Sequence, residues 1–471
     1  MKESINKRRR QLIKGIAGLP FVGGVSLMGS AGTPRVASAM EPCGPKSLVC
    51  IFLKGGADSF NFFVPGGSSY EQYRSVRNEL AISEDDLTPV TDPRLGSFAI
   101  NSNLDSLISL YEQNRLAVVA NAGPLIRPTS RQDYAAGIDI PQSLFAHDTQ
   151  QKLWQNGAGF VGGAAGEGWG GRIAEYAARC NTETSVSPSF SIGGVNLWQT
   201  AVASNYINLR AGVPVSYMDG YNGVSDWIPS SRLRGIGNTL TANNAAAQQL
   251  SGYRMEQELG GAYERAVNAT AQLRVAVNNH PVSQMTYPST NRLASQLHYV
   301  AQLISAREEL GMRQQVFYVQ MGGWDTHSQQ LDRFPALLEE LNVAIGAFQQ
   351  AIDTMGKADS VTSFTSSDFG RTLTSNGDGT DHGWGGHAFV FGGAVNGGQL
   401  YGDLPSYRSS DNPDDTGDRS GAFAGRIIPT TSVSQYGATV AHWMGVPMED
   451  MNQLFPDLSN FAVQDLGFLN G

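Results

Sequence analysis

The sequence predicts an α/β chain in which a mainly parallel sheet lies between layers of helices. Three observations predict it. Short runs that are apolar almost throughout recur along the chain, amphipathic stretches of helical period separate them, and 471 residues suffice for one large core carrying insertions. A strand covered on one face alternates apolar and polar residues, so near-continuous apolar runs imply cover on both faces, the habit of parallel sheets. Composition agrees, since 41% hydrophobic and 16% charged residues with 55 glycines fit neither disorder, collagen nor coiled coil.

In chain order, the first 39 residues read as a leader rather than as part of the fold. Lys7, Arg8, Arg9 and Arg10 precede a weakly apolar, Gly-rich stretch from Gly15 to about Gly32, the order of a signal peptide. Arg9-Arg10-Gln11-Leu12-Ile13-Lys14 resembles the twin-arginine export signature, and Ala37-Ser38-Ala39 offers small residues for cleavage after Ala39. This predicts passage through the twin-arginine export machinery, already folded, to the periplasm or the extracellular space. Pro20 and six glycines make the stretch a poor spanning helix, and no other run approaches about 18 apolar residues. The mature chain, residues 40–471, is therefore expected not to span a membrane.

Strands are expected at Leu48–Leu53, Leu116–Ala120, Ser189–Ile192, Val316–Val319, Ser360–Phe364 and Ala388–Phe391, each a short apolar run rich in branched or aromatic residues. Helices are expected at Asn103–Tyr111, Leu293–Ser305, Phe334–Met355 and Val433–Met444, where apolar residues recur at helical spacing. Residues 201–282 differ, with a Gly/Ser/Tyr-rich first half and an Ala/Gln/Asn-rich second half, and read as an insertion or cap over the sheet. Asp411–Asp418, with four acids in eight residues, reads as a solvated loop and a weak candidate for calcium.

Charge narrows the partners. The net charge of -9 conceals a split, because the leader holds seven bases and one acid and leaves 26 bases against 41 acids. A mature chain that acidic has no basic stripe for nucleic acid, and any phosphate chemistry needs a cation to offset repulsion. Cys43, Cys50 and Cys180 allow at most one disulfide, and Cys50, inside an apolar run, reads as a buried small hydrophobe. The absence of Cys-x-x-Cys excludes a zinc ribbon.

Ligands of open α/β sheets lie beyond the carboxyl ends of the strands. After Leu48–Leu53 comes Lys54-Gly55-Gly56-Ala57-Asp58, and after Val316–Val319 comes Gly322-Gly323-Trp324-Asp325-Thr326-His327. After Ser360–Phe364 come Asp368-Phe369-Gly370-Arg371 and then Asp381-His382-Gly383-Trp384-Gly385-Gly386-His387. Of seven histidines, three stand beside these carboxylates. A mixed Asp/His set without thiolates suits one or two divalent ions, whether zinc, manganese, iron or calcium. Asp58, Asp325, His327, Asp368, Asp381, His382 and His387 are the candidate ligands. Each motif also has a plainer reading as a helix cap or hydrogen-bonded turn, and it is their coincidence at successive strand ends that favours metal. His147, ahead of the helical Lys152–Gln155, either lines the same cleft or caps that helix. His280, His298 and His442 have no acidic neighbours in the sequence and read as structural. The Gly-rich Phe391–Gly398 lacks the dinucleotide fingerprint and reads as a tight turn.

These residues resemble the bacterial family known as domain of unknown function 1501, exported proteins of the alkaline phosphatase-like, sulfatase-like superfamily. The markers are Phe52-Leu53-Lys54-Gly55-Gly56-Ala57-Asp58, Asn121-Ala122-Gly123-Pro124-Leu125, Leu144-Phe145-Ala146-His147, Gly322–His327, Asp368-Phe369-Gly370-Arg371-Thr372, Gly379-Thr380-Asp381-His382-Gly383 and Ile428–Tyr436. The resemblance covers nearly the whole mature chain. It implies an alkaline phosphatase-like fold, two metal ions at strand ends and a Ser, Thr or Cys nucleophile attacking a phosphate or sulfate ester. Asp58 matches the first-strand aspartate, Asp325 and His327 the later Asp/His pair, and Asp381-His382 the Asp-His-Gly motif. Asp368 is the alternative to Asp381 as ligand, with Phe369 replacing a histidine.

The chain departs from the pattern at Ala146, where relatives commonly place a serine. Thr149 or Ser143 could substitute, or a metal-activated hydroxide could attack with His147 or Arg371 assisting. Arg371 is expected to neutralise ester oxygens. The resulting expectation is an exported metal-dependent hydrolase of phosphate or sulfate esters, small or polymeric. The rival is a non-catalytic periplasmic or surface binding protein that keeps the fold. An oxidoreductase, a third option suggested by the export route, lacks a nucleotide fingerprint, a haem motif and iron–sulfur cysteines.

Overall fold

The structure, a computed structural model, describes residues 43–94, 96–159, 166–182, 184, 186–204, 206–211, 268–418 and 420–470. The expected leader and the central part of the expected insertion, residues 212–267, lie outside the described residues.

Among the described residues the main sheet has nine strands, β1 (Lys46–Leu53), β2 (Leu116–Gly123), β3 (Ser189–Ser191), β4 (Ile207–Asn208), β5 (Gln314–Met321), β6 (Val361–Ser367), β7 (Gly386–Gly392), β8 (Gln399–Tyr401) and β9 (Thr431–Ser432). Their order is β8-β2-β7-β6-β1-β5-β3-β4, with β9 also beside β2. Every pairing is parallel except those of β7, which runs against both β2 and β6. The chain is thus α/β with a mainly parallel sheet, and the six expected strands all form, most of them longer by a few residues.

The helices used below are α1 (Ser68–Arg77), α2 (Asp105–Glu112), α3 (His147–Asn156), α4 (Trp169–Cys180), α5 (Arg292–Ser305), α6 (Gln330–Thr354) and α7 (Val433–Trp443). Side chains of β1 alternate between two cores. Val49, Ile51 and Leu53 pack with α2, α5 and α6, whereas Leu48, Cys50 and Phe52 pack with α3, α4 and α7. The apolar run in β1 therefore has the cause inferred from sequence, cover on both faces. Each fully buried large side chain in it contributes about 1.5–3 kcal/mol of transfer free energy. Helix α7 starts from a capping box in which the Ser432 hydroxyl accepts from the Ser434 amide and Gln435 Oε1 accepts from the Ser432 amide.

Register brings the central strand ends level. Leu53 of β1 stands opposite Met321 of β5 and Ser367 of β6, so the turns that follow all leave the sheet at one edge. Just beyond β6 the chain forms a short antiparallel ribbon, Arg371–Ser375 against Thr380–His382, which sets Arg371 opposite His382. A second small sheet of Phe63–Pro65, Leu87–Asp92 and Gly96–Asn101 lies in the chain between β1 and α2.

One disulfide joins Cys43, ahead of β1, to Cys180 at the end of α4, and Cys50 is free and buried. The loop Asp411–Asp418 is less solvated than its composition suggests. Asn412 and Asp415 are buried, and Asp415 accepts from the amides of Gly417 and Ala424. Its acids hold the loop's own backbone, which composition alone does not reveal. Among the described residues, no helix is long and apolar enough to cross a membrane.

Candidate metal centre

Close packing of turns at the sheet edge requires the paired glycines after β1. Gly55 has φ +121°, and a Cβ there would meet the Asp325 backbone nitrogen at 2.5 Å; a Cβ on Gly56, at φ +81°, would collide with the Phe369 ring. The absent side chains let the β5 and β6 turns meet. Asp368, wholly buried at the end of β6, accepts from the Gly55 amide at 3.1 Å and from Gln151 Nε2 at 2.8 Å. It also accepts from His147 Nδ1 at 2.6 Å. Because a carboxylate only accepts, Nδ1 of His147 carries a proton, and in the neutral ring its Nε2 keeps a lone pair. The hydrogen bond to Asp368 raises the His147 pKa above its ordinary value.

Two further rings are fixed in the same way. His382 Nδ1 donates to the Phe145 carbonyl at 2.7 Å, and His327 Nδ1 donates to Asp381 Oδ1 at 3.1 Å. Phe145 sits at φ +70°, a conformation a bulky residue rarely adopts, and that turn aims its carbonyl at the imidazole. With both Nδ1 atoms engaged as donors, the Nε2 atoms of His327 and His382 face one another at 2.8 Å as two lone pairs. Such a pair repels unless a proton or a metal ion lies between. Burial lowers the pKa of His382, with Arg371 and His147 adding to the effect and the Phe145 carbonyl and Asp325 opposing it.

The distances suit an ion. Asp325 Oδ1 lies 3.2 Å from His327 Nε2 and 3.4 Å from His382 Nε2, and Asp325 Oδ2 lies 3.5 Å from His147 Nε2. Donors about 2.0–2.2 Å from one ion stand roughly 3.0–3.5 Å apart in tetrahedral or octahedral sets. One donor atom from each of His147, Asp325 and His382 also falls within 4.8 Å of the others. Burial alone would raise the Asp325 pKa, but the hydrogen bond and charge of Arg371, with His327 and His147, hold it below the usual carboxylate range. For Asp381 burial again opposes, and Asn376 and His327 prevail to lower it.

Of the residues anticipated from sequence, Asp325, His327, Asp381, His382 and His147 come together, with Asp368 behind His147. Asp58 and His387 are placed elsewhere. The Asp58 side chain is wholly buried and is bound by Arg77, at the end of α1, and by Gln330 Nε2 at 2.5 Å. His387 is buried against Phe60 and Phe63, accepts from the Asn121 amide at 3.2 Å, and is pushed down to about 3 by burial. Thr149 is half-buried two residues along α3 from His147, and residues so spaced do not share a helix face.

Arg371 does not present its guanidinium to solvent. It is wholly buried, bonding Asp325 Oδ1 at 2.7 Å and Thr380 Oγ1 at 3.0 Å and donating also to the Thr380 carbonyl. Its position holds Asp325 in place, which differs from the expected contact with ester oxygens. Gln151 and Gln330 escaped the sequence reading. Gln151 lies four residues after His147 on one helix, a spacing that puts both side chains on one face, and that signal was available. His280 and His442 do find acids, Glu309 and Asp465, which only the fold brings near.

A family model described as protein of unknown function (DUF1501) matches residues 128–418, more than half of the chain. The chain belongs to the DUF1501 family. The DUF1501 match takes in every histidine and carboxylate of the cluster and excludes Asp58. None of the curated proteins matches the chain. Among solved structures, the chain is similar to the lipoteichoic acid synthase LtaP from Listeria monocytogenes, at 9% identity and TM-score 0.33, over 88% of this chain and 76% of that one. It is similar also to the PsFucS1 sulfatase from Pseudoalteromonas sp., at 12% identity and TM-score 0.34, over 90% and 73%. A third is BT1596, a 2-O GAG sulfatase, at 10% identity and TM-score 0.29, over 88% and 74%.

Proposed function

We propose that this member of the DUF1501 family is an exported, metal-dependent hydrolase of phosphate or sulfate esters. One observation carries the reading: three imidazoles, each tied at Nδ1 to an oxygen acceptor, turn their Nε2 atoms toward Asp325, two of them 2.8 Å apart. His147, His327, His382 and Asp325 would hold the ion. The imidazole-rich donor set favours zinc, manganese or iron over calcium. A divalent ion there supplies Lewis-acid polarisation of an ester oxygen.

The chain's own residues do the rest. Asp368 and Asp381 fix the tautomers of His147 and His327, as partners behind metal-binding imidazoles do. Arg371 orients Asp325. Water is the attacking group in this reading, with Ser143, exposed ahead of α3, as the hydroxyl alternative, because Ala146 carries no hydroxyl and Thr149 does not share the helix face of His147. The disulfide agrees with an oxidising, exported location, for which the twin-arginine leader is the proposed route. Ala146 also favours a second reading, a binding protein that keeps the fold and the ion without turnover.

Metal content measured by mass spectrometry on chelator-free protein, beside an Asp325→Ala/His382→Ala variant, tests the centre. Near-stoichiometric metal in the wild type and its loss from a folded variant are expected; a metal-free wild type after reconstitution would sink the proposal. Loaded protein should then hydrolyse members of a phosphate and sulfate ester panel. Silence across that panel leaves the binding protein as the reading.

A further inference from the structure

Arg371, anticipated as the contact for an anionic ester, has no exposed surface and spends its donors on Asp325 and Thr380. Beside an ion held by His147, His327, His382 and Asp325, an anionic ester still gains from a second cation whose donors are open to its outer oxygens. Arg426 meets that need. Its Nε donates to the backbone carbonyl of His382 at 3.3 Å, and its guanidinium lies 4.6 Å from the centroid of the Phe145 ring. Phe145 is the residue whose carbonyl holds the His382 imidazole, so Arg426 grips both residues that set one wall of the centre. The side chain is half-buried, and its backbone carbonyl is tied by the Thr416 amide.

Among the described residues, the Nη atoms of Arg426 have no acceptor. An arginine stacked on an aromatic ring and pinned through Nε keeps its two Nη groups as a rigid fork, the geometry that suits a tetrahedral oxyanion. The geometry points to an oxyanion subsite at Arg426 that anchors the phosphate or sulfate group of the substrate beside His382. Arg426 is thereby the specificity-determining residue for anionic esters. The inference rests on the proposed hydrolase for the identity of the neighbouring centre, and its test separates the two.

Wild type, Arg426→Gln and Arg426→Lys are titrated calorimetrically with inorganic phosphate and, separately, with inorganic sulfate. Each titration is run before and after loading with zinc, and metal content is measured on the same samples. Arg426→Gln should keep its metal and its melting temperature yet bind the preferred anion about tenfold more weakly or worse, with Arg426→Lys recovering part of the loss. The two anion arms tell a phosphate site from a sulfate site. Equal affinities in wild type and Arg426→Gln overturn the subsite, as does wild type that binds neither anion. Loss of the metal in Arg426→Gln also overturns it, because the arginine would then act by positioning His382. Wild type that takes up no metal counts against the hydrolase instead, while the anion titrations on unloaded protein still decide the subsite.

Discussion

Asp58 and Asp368 both follow central strands and both are wholly buried, yet their neighbours give them different work. Asp58 meets a guanidinium and an amide, Arg77 and Gln330, and ends in an internal ion pair. Asp368 meets an imidazole and two further donors and becomes the fixed base of His147. Sequence identified both as strand-end acids and had no means of separating them, because Arg77 and Gln330 lie 19 and 272 residues from Asp58 and His147 lies 221 from Asp368. The distinction predicts that Asp368→Asn, which removes the charge that fixes the His147 tautomer, weakens metal binding by about 10–100-fold while the protein stays folded. Competition titration with a metal indicator reads this directly, and unchanged affinity would mean that His147 is oriented by other means.

Elements were more legible than partners. Strands β1, β2, β5, β6 and β7 are legible as apolar runs because they are covered on both faces, and helices α2 and α6 as runs of helical period because each buries one stripe, whereas α7 is buried nearly all round. The direction of β7 was not legible, since an apolar run says nothing about which way it is threaded. Nor was the ribbon of Arg371–Ser375 and Thr380–His382, whose residues are too polar and too few to stand out. Helix α4 illustrates a close approach that glycines permit: a Cβ on Gly170 would strike the ring of the buried Trp198, and one on Gly171 the backbone of Thr200. Gly170→Ala should therefore destabilise the protein by about 1–3 kcal/mol, despite the better helix propensity of alanine. Urea unfolding decides it, and a stabilised variant would show that Trp198 has room to move.

Over the whole molecule, the class of fold was readable because it follows from the alternation of buried strands and amphipathic helices. The centre was half readable: the motifs that supply it stand in the sequence, but His327 meets His382 only because the β5 turn and the polar ribbon after β6 leave the sheet at the same edge. Covalent structure adds a consequence that concerns order of events. Cys43 and Cys50 are only seven residues apart, whereas the native partner of Cys43 is 137 residues away. An unfolded, oxidising chain would close the short loop far more readily than the long one. Once β1 is in place, Cys50 is 2% exposed and burial raises its thiol pKa well above the ordinary value, so it is barred from exchange. Reduced protein refolded first and oxidised afterwards should recover the native bridge, and protein oxidised while still in denaturant should trap Cys43–Cys50, as peptide mapping would reveal. Equal yields of the native bridge by both routes would contradict this. In the folded chain, burial of Cys50 in β1 thus leaves Cys180 as the thiol with which Cys43 pairs.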